Sequence, residues 1–357
     1  MERIKVAIMG GTGLVGQQFV RLLAQHPYFK IEMITASKAS AGKRYMDAVH
    51  WMVSDSIPDD AKNIIITETD VELFKGKDVR VVFSALPAAI AKDIELELVR
   101  SGYYVFSNAS AYRMMSEVPI LIPEVNAEHI ELIKKQKDKM GGFICTNSNC
   151  TTAGLVMLLK PLMGFGILSI NVCTYQALSG AGRRGVASLD ILGNIIPYIR
   201  NEEEKIESET CKILGRLFNG SIAMCDLEVI ASCCRVAVRD GHLESVSIKF
   251  SEYIEPEVII DTLRNFKSVP QELELPTAPY EPIIVREEDD RPQPILDAYN
   301  GFPERARGMA LTVGRVRKKN NNVINCFILS HNTIRGAAGT SILNAELAFK
   351  KGYLNNI

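Results

Sequence analysis

The sequence predicts an α/β protein in two parts: a doubly wound parallel sheet over residues 1–149, then an α+β part over 150–332 with a mainly antiparallel sheet. Three observations predict it. Short apolar runs alternate with helical spacing through the first part, and a glycine-rich turn follows the first run. After residue 150, alternating strands recur with few helices between them, which suits antiparallel pairing. The chain has 357 residues, enough for two domains with sizeable cores, and its 47% hydrophobic and 23% charged content is that of a globular protein.

In chain order, "IKVAIMG" reads as a buried strand ending in glycine, and "LVGQQFVRLLAQHP" as a helix that stops at Pro27. "IEMITAS", "VRVVFSAL", "YYVFSNAS" and "GGFICTNS" are further buried strands, and "AAIAKDIELELVRSG" is a helix closed by glycine. "TTAGLVMLLKPLMG" is a helix that leads to the strand "ILSINVCTYQALSG". "LEVIASCCRVAVRDG" and "HLESVSIKFSEY" read as strands around a glycine turn. "ALTVGRVRKK" and "NVINCFILSHN" read as another hairpin turning at "KNNN". The helical segment within 333–357 is expected to return to the first part and complete it.

A net charge of -1 gives no field for nucleic acid or a membrane surface. No apolar run reaches membrane-spanning length and the N-terminus lacks signal-peptide grammar, so a cytoplasmic protein is expected. The eight cysteines are scattered without a CxxC pair. That argues for reduced thiols and against a structural metal.

The glycine turn is Gly11-Thr12-Gly13-Leu14-Val15-Gly16, between a strand and a helix. Glycines there allow a tight turn and let a pyrophosphate approach the helix start, the Rossmann arrangement for a dinucleotide. Further on, where an acid would hold an NAD ribose, stand Ser37, Lys38, Ser40 and Lys43. Hydroxyls and an ammonium suit a 2′-phosphate, so NADP is the expected cofactor.

"NSNCTTAG" places Cys150 between a strand and a helix. A helix start stabilises a thiolate, and its free N–H groups offer an oxyanion hole. A thiolate beside a nicotinamide suggests aldehyde or acyl chemistry. Cys145 reads as core, and at least one of Cys233 and Cys234 as structural. Among the histidines, His331 follows a strand and is placed to line a cofactor. His242 follows a strand turn with Arg235 seven residues before it, a spacing that by itself links nothing.

"MGGTGLVG", "NSNCTTAG", "TYQALSGAG", "NEEEKIESETCKIL", "CRVAVRDGH" and "HNTIRGAAG", in this order, resemble the aspartate-β-semialdehyde dehydrogenases of archaeal and fungal type. The likeness spans essentially the whole chain. Glyceraldehyde-3-phosphate dehydrogenases read S-C-T-T-N at the cysteine, and N-acetylglutamyl-phosphate reductases G-C-Y. The runner-up is archaeal malonyl-CoA reductase, which lacks the Asn149 and acidic-helix patterns kept here. A non-enzymatic NADP-binding redox sensor would explain the glycine turn alone.

The resemblance implies NADPH-dependent conversion of aspartyl phosphate to aspartate semialdehyde, and assembly as a dimer or tetramer through the second, catalytic and dimerisation domain. It implies that Cys150 is the nucleophile, His242 the acid–base and Gln176 the group orienting the acyl intermediate. Arg235 would grip the substrate carboxylate with its guanidinium fork. Glu203, placed by an E-x-K pattern among three adjacent acids, would hold the ammonium. Lys205, Arg113 and Asn108 would hold phosphate. Ser179 and Gly180 would line the cofactor, and Asn332 would meet the nicotinamide carboxamide.

Overall fold

The computed structural model describes residues 2–53, 56–320 and 322–354. The first part contains β1 (Ile4–Met9), α1 (Leu14–Leu23), β2 (Phe29–Ala36), β3 (Thr67–Glu68), β4 (Val81–Ser84), α2 (Ala88–Arg100), β5 (Tyr104–Ser107), α3 (Leu132–Met140) and β6 (Phe143–Thr146). Its six strands run parallel in the order β3-β2-β1-β4-β5-β6. This is the doubly wound Rossmann order, and it reverses between β1 and β4. Ligands of such sheets bind in the crevice at those carboxyl ends. The apolar runs of β1, β4, β5 and β6 are buried on both faces, which is why they read as continuous rather than alternating. Helix α3 escaped the pattern because its buried residues are only Leu132, Ile133 and Gln136.

The second part contains α4 (Cys150–Leu162), β7 (Ile167–Gln176), α5 (Glu202–Ile213), β8 (Arg216–Phe218), β9 (Ser221–Ala223), β10 (Glu228–Arg235), β11 (His242–Phe250), α6 (Pro256–Arg264), β12 (Ile283–Arg286), β13 (Leu311–Asn320) and β14 (Val323–Ser330). The sheet order is β10-β7-β11-β14-β13-β12, with β8–β9 a separate hairpin. The sheet is mixed. Pairs β7–β11, β11–β14 and β14–β13 are antiparallel, while β10–β7 and β12–β13 are parallel.

One expectation is corrected. β10 and β11 do not pair around Gly241, because β7 lies between them. Their connection crosses the end of β7 instead. Val236 N–H donates to the Gln176 carbonyl there, and Leu178 and Ser179 N–H donate to the carbonyls of Val238 and Arg239. The β13–β14 hairpin forms as expected; Asn321, in its expected turn, lies outside the described residues.

One face of the mixed sheet packs on α4, whose Leu155, Val156, Met157, Leu158 and Leu159 are fully buried with Val172, Val246 and Ile328. The opposite face is open, with Leu168 50% and Ile230 49% exposed. After β14 the chain makes a π-helical turn at Ile334–Ala338 and enters α7 (Gly339–Lys350). Helix α7 shares a core with the first part, where Ile342, Leu343 and Leu347 join Phe19, Phe83 and Phe106. A buried contact of His26 Nε2 with Glu346 Oε1, 2.8 Å, adds to it. Residues 355–357 of the expected returning segment lie outside the described residues. The fully buried Arg335 forks onto Glu124 at 2.6 and 3.0 Å and reaches the Met309 carbonyl at 2.6 Å, so the turn before α7 is held from both sides.

Candidate active site

Four strand ends meet at one edge of the mixed sheet. Arg235 ends β10 opposite Gln176 at the end of β7, and His242 begins β11 opposite Ser330 at the end of β14. The register makes β7 the bridge that the spacing of Arg235 and His242 could not supply. Helix α4 starts against this edge. Asn149 is its N-cap, and its Oδ1 accepts from Thr151 N–H at 2.9 Å and Thr152 N–H at 3.2 Å. Cys150 is the first helical residue, and its Sγ lies 3.2 Å from His242 Nε2.

Two expectations about the thiol change. The amides of Thr151 and Thr152 are not free for an oxyanion, because Asn149 occupies them. In the free protein Cys150 is also not an acidic thiol. Burial and the nearby Glu202 push it up to about 12, against the pull of Arg235, Arg113 and its own backbone N–H. Desolvation outweighs the helix start here. Burial and Arg235 likewise push His242 down to about 3, so the ring is neutral at pH 7. Its Nδ1 accepts from the Ala177 N–H at 3.0 Å.

Helix α5 supplies charge by its phase. Glu202 and Lys205 line the cavity. Glu202 Oε1 accepts from Asn149 Nδ2 at 2.7 Å and Gln176 Nε2 at 2.9 Å, while its Oε2 lies 3.5 Å from Lys205 Nζ. Glu203 points elsewhere, accepting from the Cys233 backbone N–H at 2.9 Å on β10. The acid at the cavity is therefore Glu202, not Glu203. Helical periodicity carried the signal: steps of three and four join Glu202, Lys205 and Glu209, while Glu203 and Glu207 face β10.

Gln176 is fully buried behind Glu202, bonding it and Thr151 rather than facing the cavity. Arg113 reaches the cavity from the β5 side, its Nη1 2.9 Å from Glu209 Oε1 and its Nη2 2.8 Å from the Asn108 carbonyl. Asn108 lines the cavity too, and its Oδ1 accepts from Asn147 at 2.9 Å. Glu209 had no signal of its own; its Oε2 accepts the Asn149 backbone N–H at 2.5 Å, tying Arg113 to the start of α4. Gly336 was also missed. A Cβ there would stand 2.7 Å from Cys150 Cβ and 2.9 Å from its carbonyl oxygen, so only glycine lets this turn lie against the cysteine.

The cavity, about 600 Å³, runs from Gly13, Leu14 and Val15 past Ala85 and Leu86 to Cys150, and Ser179, Gly180 and Asn332 close it. Asn332 Oδ1 accepts from Gly241 N–H at 2.9 Å and its Nδ2 donates to Ser179 Oγ at 2.8 Å. His331 lies behind it, fully buried with Nε2 unpaired.

The glycine turn fits a dinucleotide. A Cβ at Gly16 would stand 2.2 Å from the Gly10 carbonyl oxygen, and one at Gly11 2.3 Å from Ile34. Gly11 N–H bonds the Thr35 carbonyl at 3.0 Å, and the Thr12 carbonyl accepts from Gln17. No side chain caps α1 and its first turn carries no acid, which leaves an anion-ready helix start. Ser37 and Lys38 are exposed and Ser40 half-exposed just beyond β2.

A nucleotide cradle that opens onto a cysteine paired with an imidazole defines a class of protein: nicotinamide-dependent dehydrogenases that work through a thiol. The comparisons narrow the class. The family model for the semialdehyde dehydrogenase NAD-binding domain matches residues 5–133, and that for the semialdehyde dehydrogenase dimerisation domain matches 159–335. An aspartate-semialdehyde dehydrogenase of Archaeoglobus fulgidus is 48% identical over 98% of this chain and 99% of its own. One of Methanothermobacter thermautotrophicus is 43% identical over 96% and 98%. The crystal structure of the Candida albicans enzyme with NADP superposes with a TM-score of 0.89 at 39% identity, covering 99% of this chain and 100% of that one. This chain belongs to the aspartate-semialdehyde dehydrogenase family.

Proposed function

We propose that this enzyme reduces L-aspartyl-4-phosphate to L-aspartate 4-semialdehyde with NADPH, releasing phosphate, in amino-acid biosynthesis. The observation that carries the reading is the Cys150–His242 pair, 3.2 Å apart, between an acid, Glu202, and a guanidinium, Arg235. Two opposite charges flanking a nucleophile suit an amino-acid substrate. Arg235 takes its carboxylate, and Glu202 takes its ammonium. A malonyl-CoA reductase has no ammonium for Glu202, and a non-enzymatic sensor needs neither charge.

Cys150 Sγ attacks the acyl carbon, the carbon–oxygen bond to the phosphate breaks, and the thiol proton leaves with the phosphate toward Arg113, Lys205 and Asn108. The resulting thioester carbon lies on the side of Asn332, Ser179 and Gly180, where the nicotinamide would sit. NADPH held there would supply the hydride that reduces that carbon. Collapse of the thiohemiacetal then releases the aldehyde and restores the thiolate. Because Ala177 N–H occupies His242 Nδ1, the neutral ring carries its proton on Nε2 and donates it toward sulfur. This narrows the expected acid–base role: His242 stabilises charge on sulfur as a hydrogen-bond donor. Gln176 acts through Glu202, holding that carboxylate in place.

The cofactor contacts fall to Gly11–Gly16, with Ser37, Lys38 and Ser40 toward the 2′-phosphate. We divide the work so that residues 1–149 with 333–357 hold the cofactor and 150–332 hold the substrate. We also infer a homodimer or tetramer assembled through the open face of the mixed sheet, around Leu168 and Ile230, in the cytoplasm. Among the described residues no helix is long and apolar enough to cross a membrane.

The test is phosphate-dependent reduction of NADP by purified protein with aspartate semialdehyde, beside succinic and malonic semialdehydes, and oxidation of NADPH with malonyl-CoA. Turnover confined to aspartate semialdehyde is expected. Turnover of malonyl-CoA instead overturns the substrate, and tight NADP binding without any turnover overturns the enzyme.

A further inference from the structure

We propose that Cys211 and Cys225 form a modification site: a dithiol that hydroperoxides convert to a reversible disulfide in the folded protein. The two residues are far from Cys150 in role and placement. Cys211 lies in the last turn of α5, and Cys225 between β9 and β10. The Cys225 N–H donates to the Cys211 carbonyl at 3.0 Å. The two thiols lie close enough to shift each other's ionisation in opposite directions, and Cys211 Sγ also stands 3.4 Å from the Leu227 carbonyl. A backbone bond of this kind holds two residues as near neighbours, as a disulfide requires of Cα atoms roughly 4.4–6.8 Å apart. Both residues are half-buried, so a small oxidant reaches them while bulk solvent does not surround them.

The other cysteines do not offer this. Cys145, Cys233 and Cys326 are buried singly in core. Cys173 and Cys234 are neighbours on β7 and β10, but the register pairs Cys173 with Ser232 and Cys234 with Tyr175. They are therefore diagonal rather than directly opposite. The Cys173 thiol still reaches Cys234 closely enough to raise it, but both lie on the open face of the mixed sheet inferred above to be the subunit contact, where the assembly shields them from oxidant. Cys150 is the nucleophile, and its thiol is pushed up to about 12. Cys211 is pushed the other way, to about 7, by the neighbouring Cys225 thiol and against burial. At neutral pH the sulfur able to attack an oxidant is Cys211.

The chemistry closes. Cys211 thiolate attacks the terminal oxygen of the hydroperoxide. The O–O bond breaks, the departing oxygen takes a proton and leaves as alcohol or water, and Cys211 becomes a sulfenic acid. Cys225 gives up its proton and attacks the Cys211 sulfur. The S–O bond breaks, the departing hydroxide takes that proton as water, and the S–S bond forms. The two thiols supply two electrons, and a small dithiol restores them by exchange.

The placement gives the site its consequence. Helix α5 carries Glu202 and Lys205 at one end and Cys211 near the other, about 13 Å along the axis. β10 ends on Arg235, and Cys225 precedes its start. The disulfide would join the two elements that hold the amino-acid clamp at their ends remote from the cavity. Oxidant is consumed there before the nucleophile is touched.

The test is a non-reducing peptide map of the full chain after hydrogen peroxide at low molar excess, with Cys150 occupancy read in parallel by iodoacetamide labelling. A cross-linked peptide pair carrying Cys211 and Cys225 is expected while Cys150 still labels, together with a Tm raised by at least about 3 °C. Dithiothreitol should remove both changes. In Cys225→Ala, Cys211 should be trapped by dimedone as the sulfenic acid. The proposal fails if Cys150 is lost before the cross-link forms, or if any other pair of cysteines forms in its place. Neither readout depends on which substrate the enzyme turns over.

Discussion

The backbone N–H of Ala177 donates to His242 Nδ1 across 3.0 Å, and this fixes the ring proton on Nε2, 3.2 Å from Cys150 Sγ. A second proton on Nδ1 would oppose that N–H; burial first, and then Arg235, push His242 down to about 3. The free protein therefore holds a thiol beside a neutral donor, not a thiolate–imidazolium pair. Alkylation of Cys150 should accelerate steadily with pH from 7 to 10. A plateau between pH 5 and 8 would show an ion pair and sink this account. His242→Gln, which keeps an N–H donor, should retain at least about tenfold more turnover than His242→Leu.

Cys150→Ser should lower kcat by about 10³-fold or more, since a hydroxyl is a far weaker nucleophile and leaving group. NADPH binding, followed by fluorescence titration, should persist, because the glycine turn is untouched. Normal turnover in this variant removes Cys150 from the mechanism.

Glu202→Gln should weaken the aspartyl substrate by roughly 30-fold or more in kcat/KM, as loss of one partner of a desolvated charge pair does. Glu203→Gln should change it less than about threefold. The pair of variants separates two adjacent acids by steady-state kinetics, and equal losses would contradict the placement of α5.

Gly336→Ala should lower kcat far more than Tm. Its methyl would press on Cys150 Cα and Cβ at 2.9 and 2.7 Å, so the turn or the nucleophile must move. Overpacking of this kind costs about 1–3 kcal/mol, and here the displaced group is the reacting one. Full activity with an unchanged Cys150 labelling rate would count against it.

Glu244 tests the buried electrostatics. It is fully buried on β11, neither carboxyl oxygen has a partner, and burial raises its pKa well above the usual carboxylate value. A raised carboxyl contributes most below the unfolded pKa and loses that contribution as pH rises, because the unfolded chain releases a proton the folded chain keeps. Glu244→Gln should therefore be more stable than the parent at pH 8 and nearly equal at pH 4.5, read by urea unfolding. His242 and His331, both pushed down to about 3, act with the opposite sign and reduce stability as pH falls below about 6.5.

What the sequence revealed was local. β1, the glycine turn and α1 follow one another, so their pattern carried both structure and ligand. Cys150 at a helix start was legible because Asn149 and Thr151 flank it. What depends on partners distant in sequence was hidden. The choice of Glu202 over Glu203 rests on how α5 lies against β10. The insertion of β7 between β10 and β11 needs a strand from fifty residues earlier. The thiol's high pKa follows from burial, which no motif records.

Helix α7 fills the side of the first sheet with Ile342, Leu343 and Leu347, and sets Glu346 against His26. A ribosome makes the whole mixed sheet before it makes that helix. The nucleotide cradle thus precedes the mixed sheet in the chain and is finished only after it. The helix that completes the first sheet follows directly on the turn that sets Gly336 against Cys150, so the cradle and the nucleophile's surroundings are completed by one continuous segment.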